Sequence, residues 1–219
     1  IDGLIGDIHI VNVEYPQGPF PALNPKTAKK SIGWRGIEND QGVGLSAILS
    51  DLATHSFHIA QYVSSLKIVK ISADVSKNIK SIGIDDNVHA MLKFENGATG
   101  LLWSSFAATG GEHGLRVRVF GSKGAIDWIQ DQPNQLSFFS IDGPIQTFTR
   151  ASKWVSKFSM ENSRVAAGHP EGFFEAFANL YTDFADALNN NLDFNLINEK
   201  NIFPNEEDGL EGIQFVYAA

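Results

Sequence analysis

Asp51, His55, His58 and Tyr62 follow one another at steps of four, three and four residues, so on a helix they gather along one flank. A carboxylate and an imidazole at i and i+4 are close enough to touch. That pairing can do acid-base work, bind a metal or merely solvate a helix. A metal-dependent hydrolase would use Asp51, His55 and His58 as ligands, with a further group from His113, His169 or Glu171. The chain contains no H-E-x-x-H, the helical zinc signature.

The flank has to be positioned by the helix that carries it. Across Gly42 to Val63, Leu45, Ile48, Leu49, Leu52, Ile59 and Val63 recur at helical steps, which predicts that this stripe is buried. Upstream, Asp7 to Tyr15 reads as a strand. Pro16, Pro19 and Pro21 cannot donate ladder hydrogen bonds and are assigned to loop. Residues 24–41, around Trp34 and Arg35, read as a long connection, a kind of segment that is often functional.

Downstream, Lys67 to Val75 is a strand pattern. Val88 to Phe94 and Thr99 to Ser105 alternate on either side of Glu95-Asn96-Gly97-Ala98, a hairpin signal. Leu115, Val117 and Val119 turn at Gly121-Ser122-Lys123-Gly124 into Ile126 and Trp128. Leu136 to Phe139 and Ile145 to Thr149 flank Asp142-Gly143. Residues 152–168 show no clear period. His169-Pro170-Glu171 then opens a helix with Phe173, Phe177, Leu180, Phe184 and Leu188 on one face, stopped by Asn189-Asn190-Asn191. Seven or eight strands joined mostly by short turns, with few helices, predict an α+β fold: a large, mainly antiparallel open sheet with helices on one face.

The chain of 219 residues is read as one domain and needs no staples. Its net charge of −8 and scattered lysines argue against nucleic acid or an anionic membrane surface as partner. The absence of cysteine removes disulfides, thiol nucleophiles and cysteine-bound zinc. No apolar run approaches a membrane span and the first residues do not read as a signal peptide, so a soluble, cytoplasmic protein is expected. The opening at Ile1 within a strand pattern and the uncapped apolar close at Ala219 lead us to expect a piece of a longer protein.

Gly42-Val43-Gly44-Leu45-Ser46-Ala47 matches a dinucleotide-binding glycine pattern, with Asp74 further on in the position of a ribose-binding acid. The preceding Gly36-Ile37-Glu38-Asn39-Asp40-Gln41 is polar, and the strand that the motif requires is missing. These glycines are therefore read as a tight entry to the helix.

Taken in order, Trp34-Arg35, the glycine turn, Asp51-Leu52-Ala53-Thr54-His55, Phe120-Gly121-Ser122-Lys123-Gly124, Gly168-His169-Pro170-Glu171-Gly172 and the stretch from Pro204 to Gly209 resemble the C-terminal domain of the Gfo/Idh/MocA family, relatives of glucose-fructose oxidoreductase and inositol dehydrogenase. The resemblance covers almost the whole chain. It implies a two-domain oxidoreductase acting on sugars, polyols or related compounds with NAD or NADP. The N-terminal Rossmann domain that holds the cofactor is absent from these residues, so residues 1–219 would be the substrate-binding and oligomerisation half. Alone, that half is expected to be inactive and to bind no cofactor.

Carried over by position, His55 matches the family's acid-base histidine and Asp51 its carboxylate partner. An imidazole suits the task because its ordinary pKa lies near neutrality, and a carboxylate one turn earlier can orient the ring. Tyr15 and Gln17 fall where the family places substrate contacts. Trp34, Arg35, His113 and His169 are further substrate-binding candidates, and no metal is expected. His58 is read as a flank residue, and His9 and His89 as structural. The expected partners are a sugar or polyol, the chain's own Rossmann domain and further copies of the chain, as a dimer or tetramer through the sheet face. A non-catalytic assembly or ligand-binding domain is the other class kept open.

Overall fold

The computed structural model describes residues 3–18, 46–80, 84–189 and 203–219. The first alternating run forms β1, Ile8–Pro16, with Val11 and Val13 buried and Asn12 and Glu14 on the opposite face, as period-two side-chain alternation dictates. Pro16, expected in a loop, is the last residue of this strand. It pairs with Ser105, and at a strand end its missing N–H breaks no internal ladder, while its carbonyl still accepts from Gly114 N at 3.1 Å.

Seven further strands follow: β2 Ile68–Ser76, β3 Asn87–Phe94, β4 Thr99–Ser105, β5 Arg116–Gly121, β6 Gly124–Ile129, β7 Gln135–Ser140 and β8 Ile145–Thr149. They form one sheet in the order β2-β3-β4-β1-β5-β6-β7-β8. Every neighbouring pair is antiparallel except β1 and β4. The expected hairpin joins β3 to β4, with Gly97 at φ +89° in its turn, a backbone region open to glycine. Gly100 is required where β1 and β4 meet, because a Cβ there would lie 2.1 Å from the Val11 carbonyl oxygen.

One face of the sheet is covered. Helical backbone begins at Ala47, widens into a π-turn over Leu49–Ala53 and continues as α1, Thr54–Ser64. Ile48, Leu49 and Leu52 are buried as expected, but Val63 is exposed and Ile59 only half-buried; Phe57, Ala60 and the small polar Ser56 and Ser64 take the inner face. The cause is the π-turn, in which Thr54 N bonds back to the Leu49 carbonyl. An i→i+5 turn holds more residues than an α turn, so the later stripe lags behind the ideal helical period. Inside, the Ser56 and Ser104 hydroxyls satisfy each other at 3.0 Å.

The aperiodic stretch contains a short helix unread from sequence, α2, Lys157–Glu161, capped by the Ser156 side chain. α3 spans Phe173–Asn189, beginning after Pro170 and not at it. α4, Glu206–Ala218, starts with a capping box between Asn205 and Asp208. It packs on α1 through Phe57 and Phe215, whose rings stack with centroids 4.7 Å apart. Lys67 and Gln61 both reach Glu211 of α4.

Candidate functional site

The π-turn puts Asp51 at its centre and His55 at the start of α1, above the C-terminal end of β1 where Tyr15 lies. The Tyr15 and His55 rings meet edge to face at 5.8 Å between centroids. On the other side Tyr15 faces His113 at 6.4 Å, and Gln17 Nε2 lies 3.2 Å from His113 Nε2. With the amide as donor, the His113 ring carries its proton on Nδ1. Burial, and then the nearby Asp51 charge, raise the Tyr15 pKa above its usual value, so the phenol stays protonated and able to donate at neutral pH. Burial disfavours the charged phenolate, and a carboxylate beside it repels a second negative charge.

The loop carrying His113 is fastened to the end of β1. Gln17 N donates to the Ser105 carbonyl at 2.7 Å and Gly18 N to the Gly111 carbonyl at 2.7 Å. A Cβ on Gly18 would sit 2.1 Å from the Ala108 carbonyl oxygen, so a side chain there would force the two segments apart. His113 itself has φ +52°, an uncommon backbone state for a residue with a Cβ, and Gln130 Nε2 and Leu115 N both bind its carbonyl.

Five expected site residues thus converge: Asp51, His55, Tyr15, Gln17 and His113. His58 and Tyr62 lie along the exposed flank, their rings 6.2 Å apart. His169 lies at the same end of the sheet but beside β8, four strand positions from β1, or about 19 Å at ordinary strand spacing. Its carbonyl accepts from Arg150 Nη2 at 2.6 Å. Trp34 and Arg35 lie outside the described residues. So do Gly42 and Gly44 of the dinucleotide-like pattern, but the helix start that follows them is described. There Asp85 accepts hydrogen bonds from the Ser46 hydroxyl and from Ala47 N and Ile48 N at 3.0 and 3.1 Å. A carboxylate already fills the place of a bound phosphate. Asp74 sits within β2, beside His89. Among the described residues no group of three or more His, Cys, Asp or Glu converges as a metal site.

Sequence reasoning did not find Asp85, which caps a helix 38 residues earlier in the chain and leaves no local signal. It also missed a clamp near His169. Arg150 and Glu171 form a partly buried ion pair at 2.9 Å, Asn134 Oδ1 accepts from both Arg150 Nε and Glu171 N, and Glu171 Oε1 accepts from Arg164 N and Val165 N.

An open, mostly antiparallel sheet of eight strands with helices is the α+β fold of solved oxidoreductase structures. This chain belongs to the Gfo/Idh/MocA family: the GFO/IDH/MocA C-terminal domain model matches residues 1–127. It is 32% identical over 218 residues to YfiI, an uncharacterised oxidoreductase of Bacillus subtilis, covering 98% of this chain and 55% of that one. The NAD+ complex of an inositol dehydrogenase homologue from Azotobacter vinelandii superposes with a TM-score of 0.87 at 30% identity, over all of this chain and 56% of that one. The same homologue with NADH and myo-inositol gives 0.82 at 30% identity, over all of this chain and 55% of that one. The chain spans about half the length of these relatives. No helix among the described residues is long and apolar enough to cross a membrane.

Proposed function

We propose that this chain is the substrate-binding and oligomerisation half of an NAD(P)-dependent oxidoreductase that moves hydride between the nicotinamide and a sugar, polyol or related hydroxy compound. A Rossmann domain outside these 219 residues would complete it, as the length of the relatives supports. The observation that carries the reading is the meeting of His55, Tyr15 and His113 beside Asp51.

When bound, the nicotinamide accepts the hydride. His55 takes the hydroxyl proton as the carbon-hydrogen bond breaks, so the alcohol becomes a carbonyl and the imidazole becomes an imidazolium. Asp51, one turn earlier, favours that cation. Tyr15, held neutral, donates to a substrate oxygen, and Gln17 and His113 supply an amide and an imidazole for neighbouring hydroxyls. Trp34, Arg35 and His169 keep their substrate-binding roles here on the family resemblance. The Asp85-capped helix start supports placing the dinucleotide on the other half.

The sheet face opposite α1 supports assembly with further copies, as a dimer or tetramer. Met91 and Leu101 are exposed on it, around a groove of about 550 Å³ that also includes His89, Trp103 and Arg118. The setting we assign is cytoplasmic.

The test is NAD(P)H formation by the complete protein over a panel of inositols and other polyols. We expect reduction of one nicotinamide cofactor with at least one polyol and none by residues 1–219 alone. A complete protein inert toward the whole panel, or turnover by residues 1–219 alone, would overturn the reading.

A further inference from the structure

α3 is amphipathic with its faces reversed. Its inward row is Glu175, Asn179, Asp183 and Ala187 at four-residue steps, all at least partly buried. The partners on that side are polar: Arg164 donates to Asn179 Oδ1 and to the Thr182 hydroxyl, each at 2.6 Å, and Asn179 Nδ2 donates to the Asn162 carbonyl at 2.8 Å. The outward row is Phe173, Phe177, Leu180, Tyr181, Phe184 and Leu188. With the adjoining Phe174, these range from 44% exposed at Phe177 to 83% at Phe174. Among the described residues, the Phe203 ring meets the row from outside α3, 5.9 Å from Phe184.

The apolar positions of the row are symmetrically spaced, although only the Phe177 and Phe184 pair is identical. Phe173 and Leu188, Phe177 and Phe184, and Leu180 and Tyr181 are each equidistant from the midpoint between residues 180 and 181. A helix face with that symmetry is complementary to itself when a second copy runs antiparallel across a two-fold axis, as an isologous interface requires. Its area also suits a dimer. At about 150–250 Å² per large side chain, the exposed parts of this row amount to roughly 500–900 Å². A stable pair buries about 800 Å² per partner, whereas the largest patch on a typical monomer is about 300–600 Å².

We propose that α3 is a dimerisation surface for a second copy of this chain, paired antiparallel with Phe177 of one copy against Phe184 of the other and the axis passing between Leu180 and Tyr181. This surface lies apart from the sheet face and from the Asp51 and His55 cluster, and it does not depend on the assigned reaction.

The chain has no cysteine, so one introduced thiol reports unambiguously. In the complete protein, Tyr181→Cys is expected to form an intersubunit disulfide on mild oxidation, and Asp186→Cys, on another side of α3, is expected not to. By sedimentation, Phe177→Asp should weaken this dimerisation at least 100-fold, and adding Phe184→Lys should restore most of it, because antiparallel pairing sets the two new charges opposite each other. Failure of Tyr181→Cys to cross-link, or a sedimentation profile identical in wild type and Phe177→Asp at every concentration, would overturn the proposal in favour of another domain as the partner of α3. Equal weakening by the single and double variants would overturn the antiparallel register.

Discussion

The Tyr15 ring lies edge-on to the His55 ring with 5.8 Å between centroids, so residues 40 positions apart share one environment. That contact joins β1 to the helix behind the π-turn, and it places the Asp51 charge where it acts on the phenol.

Tyr15 should therefore titrate late. Subtracting the absorbance titration of Tyr15→Phe from that of the wild type should isolate a phenol that ionises above pH 10, and Asp51→Asn should lower its midpoint without returning it to the free value, since burial is the larger cause. The linkage sign follows. A raised folded pKa means that the native state holds the proton more tightly, so the contribution of Tyr15 to stability is complete below pH 10 and declines as pH rises through the folded value.

Phe57→Ala should cost about 3–5 kcal/mol in urea unfolding, the usual loss for a buried phenylalanine. Phe57 is 6% exposed and stacks on Phe215, so amide exchange across α4 should rise as well. An unchanged unfolding midpoint would mean that α4 does not rest on α1.

Glu171→Ala should cost about 1–3 kcal/mol, because it removes the carboxylate paired with Arg150 while Asn134 Oδ1 and the Val165 and His169 carbonyls still hold the guanidinium. It also frees the Arg164 and Val165 amides. Hydrogen exchange should quicken over residues 163–172 and the first turns of α3, while the β3–β4 hairpin stays protected.

Gly18→Ala should disturb the site more than the fold. The added Cβ would press on the Ala108 carbonyl and separate Gln17 from His113, so KM in the complete protein should rise several-fold with little loss of thermal stability. An unchanged KM would remove the Gln17 and His113 pair from substrate binding.

The strands were legible because each is a period-two pattern broken by turn residues: Val88 to Phe94 and Thr99 to Ser105 around Asn96-Gly97 became β3 and β4. The parallel pairing of β1 with β4 was not legible, since local alternation says nothing about which distant strand becomes a neighbour. The Asp51 and His55 spacing marked the flank, but the π-turn that moved Ile59 and Val63 off the core has no signature in the apolar pattern. The α3 stripe was readable as a stripe. That it faces outward was not, because the polar partners Arg164 and Asn162 lie outside the helix.

The most direct test is the pH dependence of kcat/KM for polyol oxidation by the complete protein, wild type against His55→Ala, using the polyol that the wild type oxidises fastest. If His55 accepts the hydroxyl proton, kcat/KM of the wild type rises with pH through one ionisation, and His55→Ala loses that limb and falls by about 10²- to 10⁴-fold on the plateau. The same profile at an undiminished rate in His55→Ala would contradict the account.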